Sequence, residues 1–135
     1  MGIEILAVKN KMIELWGITN TDFMGYKLCD DEVFSYHHLR IPKKDNGHVS
    51  IKNGAILTGK TAHPYLHTIE VYDRDRFLYL TKILIDVNDQ GYLPDENQLH
   101  KIDTCLSFFE KEYSGKYSSG GNLIIKDRYT RRLIR

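Results

Sequence analysis

Five of the chain's six histidines fall between residues 37 and 67. The stretch reads "SYHHLRIPKKDNGHVSIKNGAILTGKTAHPYLH", from Ser35 to His67, and its pattern constrains the fold more than any other segment. "FSYHHLRI" alternates aromatic and polar residues before Pro42, which reads as a short strand. Asn46-Gly47 in "KKDNG" is a strong turn signal. "VSI" and "AILT" are short β-leaning runs flanking Asn53-Gly54, and "TGKT" is a loop. A helix then starts near Pro64, which suits a first helical position because its missing N–H would have no partner there. That places His63 at the helix entrance and His67 one turn inside.

Neighbours on a strand point to opposite faces, so His37 and His38 cannot do the same job. Residues four apart on a helix share a face, so His63 and His67 can converge on one ion. One of the paired histidines can join them from the strand. Three imidazoles leave a coordination position open, and open three-ligand sites are the catalytic kind. The other paired histidine would stand beside the ion, free to act as a base. H-x-x-x-H on a helix arises often by chance, and a His-His pair on a strand is weak by itself. The weight lies in their conjunction within 31 residues, with a turn between them.

Two longer helices follow this unit. In "RDRFLYLTKILIDV" the residues Phe77, Leu80, Leu84 and Val87 recur at helical spacing. "GYLPDENQLHKIDTCLSFFEKEYSG" has acidic residues after Pro94 and Gly115 at its end, both boundary signals, with Leu99, Ile102, Leu106 and Phe109 as its apolar stripe. Those stripes read as core rather than as cofactor contacts. The segments "IEILAV" and "MIELWGI" are apolar but ambiguous between strand and helix. A length of 135 residues predicts one domain over 1–135, able to bury a core without staples. The expected class is α+β: a small ββα unit over about 34–70, embedded in a mostly helical domain with C-terminal helices over 74–115.

Composition removes several function classes. No apolar run approaches the roughly 20 residues of a membrane span. The N-terminus lacks the basic and long apolar regions of a secretory signal, and Leu6 stands where a myristoylation motif wants Ser or Thr. Cys29 and Cys105 are isolated, which argues against a disulfide framework or a cysteine zinc knuckle and for a reducing cytoplasm. A metal would therefore be held by histidines. The net charge of +1 is unevenly spread. A tail over 122–135 carries Lys126, Arg128, Arg131, Arg132 and Arg135, and "LRIPKK" adds Arg40, Lys43 and Lys44 after the paired histidines. Such asymmetry permits a polyanion-binding face, although a solvated basic tail fits the charge alone equally well.

The pattern His37-His38, Asn53, His63 and His67 resembles the HNH motif of the ββα-metal nuclease superfamily. The separations, 15 residues from His38 to Asn53 and 10 from Asn53 to His63, fit that motif. The resemblance covers about residues 34 to 70. The stretches "HHL", "NGAIL" and "HPYLHTIE" also resemble segments of small bacterial and phage proteins, which adds no mechanism. By this resemblance, His37, His63 and His67 are metal ligands, and His38 is the general base that takes a proton from the attacking water. Asn53 is expected to brace the loop and so hold the base in orientation. Two departures stand out. The cysteine pairs with which many members bind structural zinc are absent, and histidine fills all three ligand positions where some members use Asp or Asn.

The resemblance implies a metal-dependent endonuclease that cuts or nicks DNA, using one divalent ion, with Mg, Mn, Zn and Ni all compatible. Arg40, Lys43, Lys44, Arg128, Arg131 and Arg132 are the candidate DNA contacts, adding affinity and salt dependence rather than sequence choice. The alternative is a catalytically weak HNH-fold module that binds nucleic acid or a protein partner; a homodimer is also compatible. A zinc hydrolase of another kind fits poorly, because "HPYLH" lacks the glutamate of H-E-x-x-H. His48 and His100 read as surface residues, and Trp16 and Tyr36 as scaffold.

Overall fold

Residues 2–113 are described by the computed structural model, with side chains from Glu4 onward. The order is helix α1 (Gly2–Leu15), strand β1 (Phe34–His38), a 3-10 turn (Lys43–Asp45), strand β2 (Gly54–Thr58), then helices α2 (Ala62–Tyr72), α3 (Arg74–Gln90) and α4 (Glu96–Tyr113). This is an α+β arrangement in which a two-stranded hairpin packs against α2 and α3. The expected tail over 122–135 and the expected end at Gly115 lie outside the described residues. Among those residues, no helix is long and apolar enough to cross a membrane.

The ambiguous N-terminal segment is a helix. Ile5, Val8, Met12 and Trp16 recur at helical spacing and face the core. The Trp16 indole donates to the Val87 carbonyl at 3.1 Å, joining the end of α1 to the last turns of α3. The expected stripes of α3 and α4 all point inward: Phe77, Leu80, Leu84 and Val87 from one, Leu99, Ile102, Leu106 and Phe109 from the other.

The hairpin is antiparallel, pairing Phe34 with Thr58, His37 with Ala55 and His38 with Gly54. β2 is buried along its whole length. The "VSI" run forms no strand; it lies in the connection that returns from β1 to β2. At its turn Asn46 adopts the left-handed conformation, with φ 63°. Gly47 packs so tightly that a Cβ there would lie 2.0 Å from the Ile41 carbonyl oxygen.

The helix bearing His63 and His67 begins at Ala62, two residues before Pro64. A buried carboxylate explains the earlier start. Asp22 accepts from the Met24 and Tyr26 amides at 2.8 and 2.9 Å, and from the Thr58 amide and hydroxyl at 2.7 and 2.9 Å. The Thr58 hydroxyl oxygen then accepts from the Ala62 amide at 2.9 Å, satisfying one of the orphan donors of the first turn. Glu32 holds the same loop by accepting from the Lys60 amide at 2.8 Å. Pro64 still falls within the first turn, where it removes no helical bond.

Candidate metal centre

β1 and α2 bring three histidines together. His37 projects from β1 and is 5% exposed. His63 and His67 come from successive turns of α2, the first half-buried and the second exposed. One ligating atom from each of the three lies within 4.8 Å of the others. The ring centroids are 5.2 Å apart for His37 and His63, 5.3 Å for His37 and His67, and 5.0 Å for His63 and His67. A tetrahedral ion with bonds of about 2.0–2.1 Å places its ligand nitrogens roughly 3.4 Å apart, so ring shifts on the order of 1 Å would gather the trio round it. The donor set suits a divalent metal, and the exposed His67 leaves the outer side of the site open.

Burial holds His37 well below the usual imidazole range, to about 3, and the charges that His63, His67 and His38 would carry reinforce the effect. His63 is lowered to about 4, by burial first and then by His67 and His38. Both rings are therefore neutral at physiological pH, which is the state a metal needs.

Two outer contacts reach the helical pair. The Ser35 hydroxyl lies 2.6 Å from His63 Nδ1, and Glu70 Oε1 lies 3.1 Å from His67 Nδ1. Ser35 shares the His37 face of β1, being two residues before it. Glu70 sits three residues after His67 on α2, and its other oxygen is 3.8 Å from Arg74. Neither residue was expected from the sequence, although both stand at the spacing that strand and helix periodicity would search.

His38 is not one of the trio. Its ring meets Tyr36 edge-on at 5.1 Å, and the Tyr36 hydroxyl is pinned between the Ser50 carbonyl at 2.8 Å and the Ser50 amide at 3.1 Å. Yet it stands near enough to His37 and His63 to disfavour their protonation. Its own pKa is lowered by burial and by Lys43, against a raising hydrogen bond with the backbone of Gly47.

Asn53 is buried and uses its whole side-chain amide. Oδ1 accepts from the Arg40 and Ile41 amides, both at 2.8 Å, and Nδ2 donates to the Ile41 and His48 carbonyls at 2.9 and 3.0 Å. Its carbonyl accepts from the Leu39 amide at 2.7 Å. One side chain thus closes the connection directly after His38.

The basic candidates divide. Lys43 and Lys44 are exposed on the turn that follows β1. Arg40 instead folds back on α3, donating to Asp89 at 2.6 Å, to Asn88 at 3.1 Å and to the Lys52 carbonyl. His48 and His100 are exposed. Arg128, Arg131 and Arg132 lie outside the described residues. No family model matches the chain, and no curated protein or solved structure matches it either.

Proposed function

We propose that this chain is a metal-dependent endonuclease of the HNH type that hydrolyses phosphodiester bonds in DNA. The observation that carries the reading is the convergence of His37, His63 and His67, with His38 beside the trio but outside it. These three imidazoles would hold a divalent ion, which would supply positive charge to polarise the phosphoryl oxygen and stabilise the leaving alkoxide. His38 takes the proton of the attacking water, a task suited to an imidazole that is neutral at physiological pH. Asn53 is a positioning residue, fixing the backbone that follows the base. Lys43 and Lys44, exposed on the turn after β1, are the proposed contacts to the phosphate backbone, with Arg128, Arg131 and Arg132 as further candidates. Three imidazoles favour Zn²⁺ or Ni²⁺ by affinity, while Mg²⁺ or Mn²⁺ remains compatible with turnover.

Incubation of the purified protein with supercoiled plasmid and each of Mg²⁺, Mn²⁺, Zn²⁺ and Ni²⁺ tests this reading. Nicked or linear DNA, lost on adding chelator and in His38→Ala, is the expected result. A mobility shift without cleavage under every metal would instead make the protein a binding module.

A further inference from the structure

We propose that Ser35 and Glu70 are positioning residues of the metal centre, holding His63 and His67 in the Nδ1–H tautomer so that each turns Nε2 toward the point shared with His37. This rests on reading the trio as a metal site.

Each tautomer follows from the chemistry of its partner. A carboxylate oxygen accepts, so the 3.1 Å contact with Glu70 Oε1 places the hydrogen on His67 Nδ1. Serine could serve either way; the Leu57 carbonyl, 3.4 Å away, can take its single hydroxyl hydrogen, and in the proposed arrangement it does. The oxygen is left to accept from His63 Nδ1 at 2.6 Å. In both rings the lone pair therefore sits on Nε2, the nitrogen farther from the backbone. That reach lets two residues on successive turns of α2 meet a residue of β1.

The two supports differ in kind. Ser35 is neutral and half-buried, and it registers His63 against the hairpin, because Leu57 is the residue paired with Ser35 across the sheet. Glu70 is charged, and it tunes the exposed ligand. A carboxylate behind an imidazole raises the ring's basicity as a ligand, and loss of such a partner typically costs 10–100-fold in metal affinity. Arg74, at 3.8 Å from the other Glu70 oxygen, steadies the carboxylate without touching the ring.

The test uses the full chain, labelled with ¹⁵N-histidine and metal-free at pH 7.5. Long-range ¹H–¹⁵N correlation of the rings should show Nδ1–H at both His63 and His67. Zinc titration should then give a 10–100-fold weaker Kd for Ser35→Ala and for Glu70→Ala. Ser35→Thr and Glu70→Gln, which keep an accepting oxygen, should recover most of the loss. Nε2–H tautomers in the wild type, or unchanged affinity in both alanine variants, would overturn the proposal. A wild type that takes up no metal would sink the endonuclease reading on its own, while the tautomer pattern would still decide whether Ser35 and Glu70 orient the rings.

Discussion

Asn53 and Ile41 are bound to each other twice, the Asn53 amide donating to the Ile41 carbonyl at 2.9 Å while its oxygen accepts from the Ile41 amide at 2.8 Å. Few side chains can make this reciprocal pair, since it needs a donor and an acceptor at fixed separation. The same amide also reaches Arg40 and His48, so the connection that begins after His38 is closed by one residue at the foot of β2.

Asn53→Asp is therefore expected to be more damaging than its size suggests. The carboxylate keeps the two accepted bonds but turns an oxygen toward the Ile41 and His48 carbonyls. Both carbonyls lose a part-buried donor and face an oxygen in its place, so a loss of about 1–3 kcal/mol is expected in urea denaturation. Zinc binding should persist in whatever fraction stays folded, because no ligand is touched. A variant as stable as wild type would remove Asn53 from its bracing role.

Asp22 should behave as a second keystone, at the other end of β2. It receives four hydrogen bonds while fully buried, and burial pushes its pKa up against those four donors. In Asp22→Asn, one oxygen is replaced by a group that must donate toward donors. The expected loss is roughly 2–4 kcal/mol, with weaker zinc binding as the start of α2 loosens. Hydrogen exchange at the Ala62 amide should accelerate before that of the α3 core.

Much of the centre could be read from residue types and spacing. The four-residue step from His63 to His67 and the alternation of His37 and His38 are local periodicities, and local periodicity survives folding. The features that escaped depend on partners distant in sequence. "IEILAV" is apolar at nearly every position, so it carries neither period cleanly; α3, through the Val87 carbonyl that receives Trp16, selects the helix. The helix start at Ala62 depends on a Thr58 hydroxyl itself held by Asp22, 36 residues earlier. Arg40 read as a candidate DNA contact because its partner Asp89 lies 49 residues away.

Acid should destabilise the metal-free protein in a defined window. His37 and His63 have folded-state pKa values of about 3 and about 4, against 6.5 for the free side chain. Between pH 6.5 and about 4, the unfolded chain binds protons that the folded chain does not. Their contribution is thus intact above pH 6.5 and lost as pH falls, by up to about 1.4 kcal/mol per pH unit for each histidine. Urea midpoints at pH 7.5, 6 and 5 should fall steadily, and His37→Phe should flatten the trend. A flat wild-type profile would mean that these rings are more hydrated than their burial implies.

The two candidate ligands on α2 offer a direct test of the metal reading. Removal of one imidazole from three should cut zinc affinity by at least 10–100-fold, the size expected for lesser outer-contact changes. His67 is the cleaner choice, because it is exposed and its loss leaves no cavity in the core. Calorimetric titration of His67→Ala should show this loss with an unchanged thermal transition of the metal-free protein. Wild-type affinity in that variant would remove His67 from the ligand set.

The paired histidines should separate by function. His37 lies within the trio, and His38 stands beside it but outside it, its ring edge-on to Tyr36. His37→Ala should lose both metal and plasmid nicking. His38→Ala should keep its metal and lose about 10²–10⁴ in rate, the usual contribution of a general base. The pH profile adds an independent sign. A base works when neutral, so the rate should rise with pH and then level off. Burial, with Lys43 in support, lowers the His38 pKa, so the plateau should be reached earlier than an exposed imidazole of pKa 6.5 would allow. Lys43→Ala removes part of that depression and should move the inflection toward higher pH, while leaving metal content unchanged. Metal content and nicking rate measured side by side decide the matter: loss of metal in His38→Ala with retention in His37→Ala would exchange the two roles.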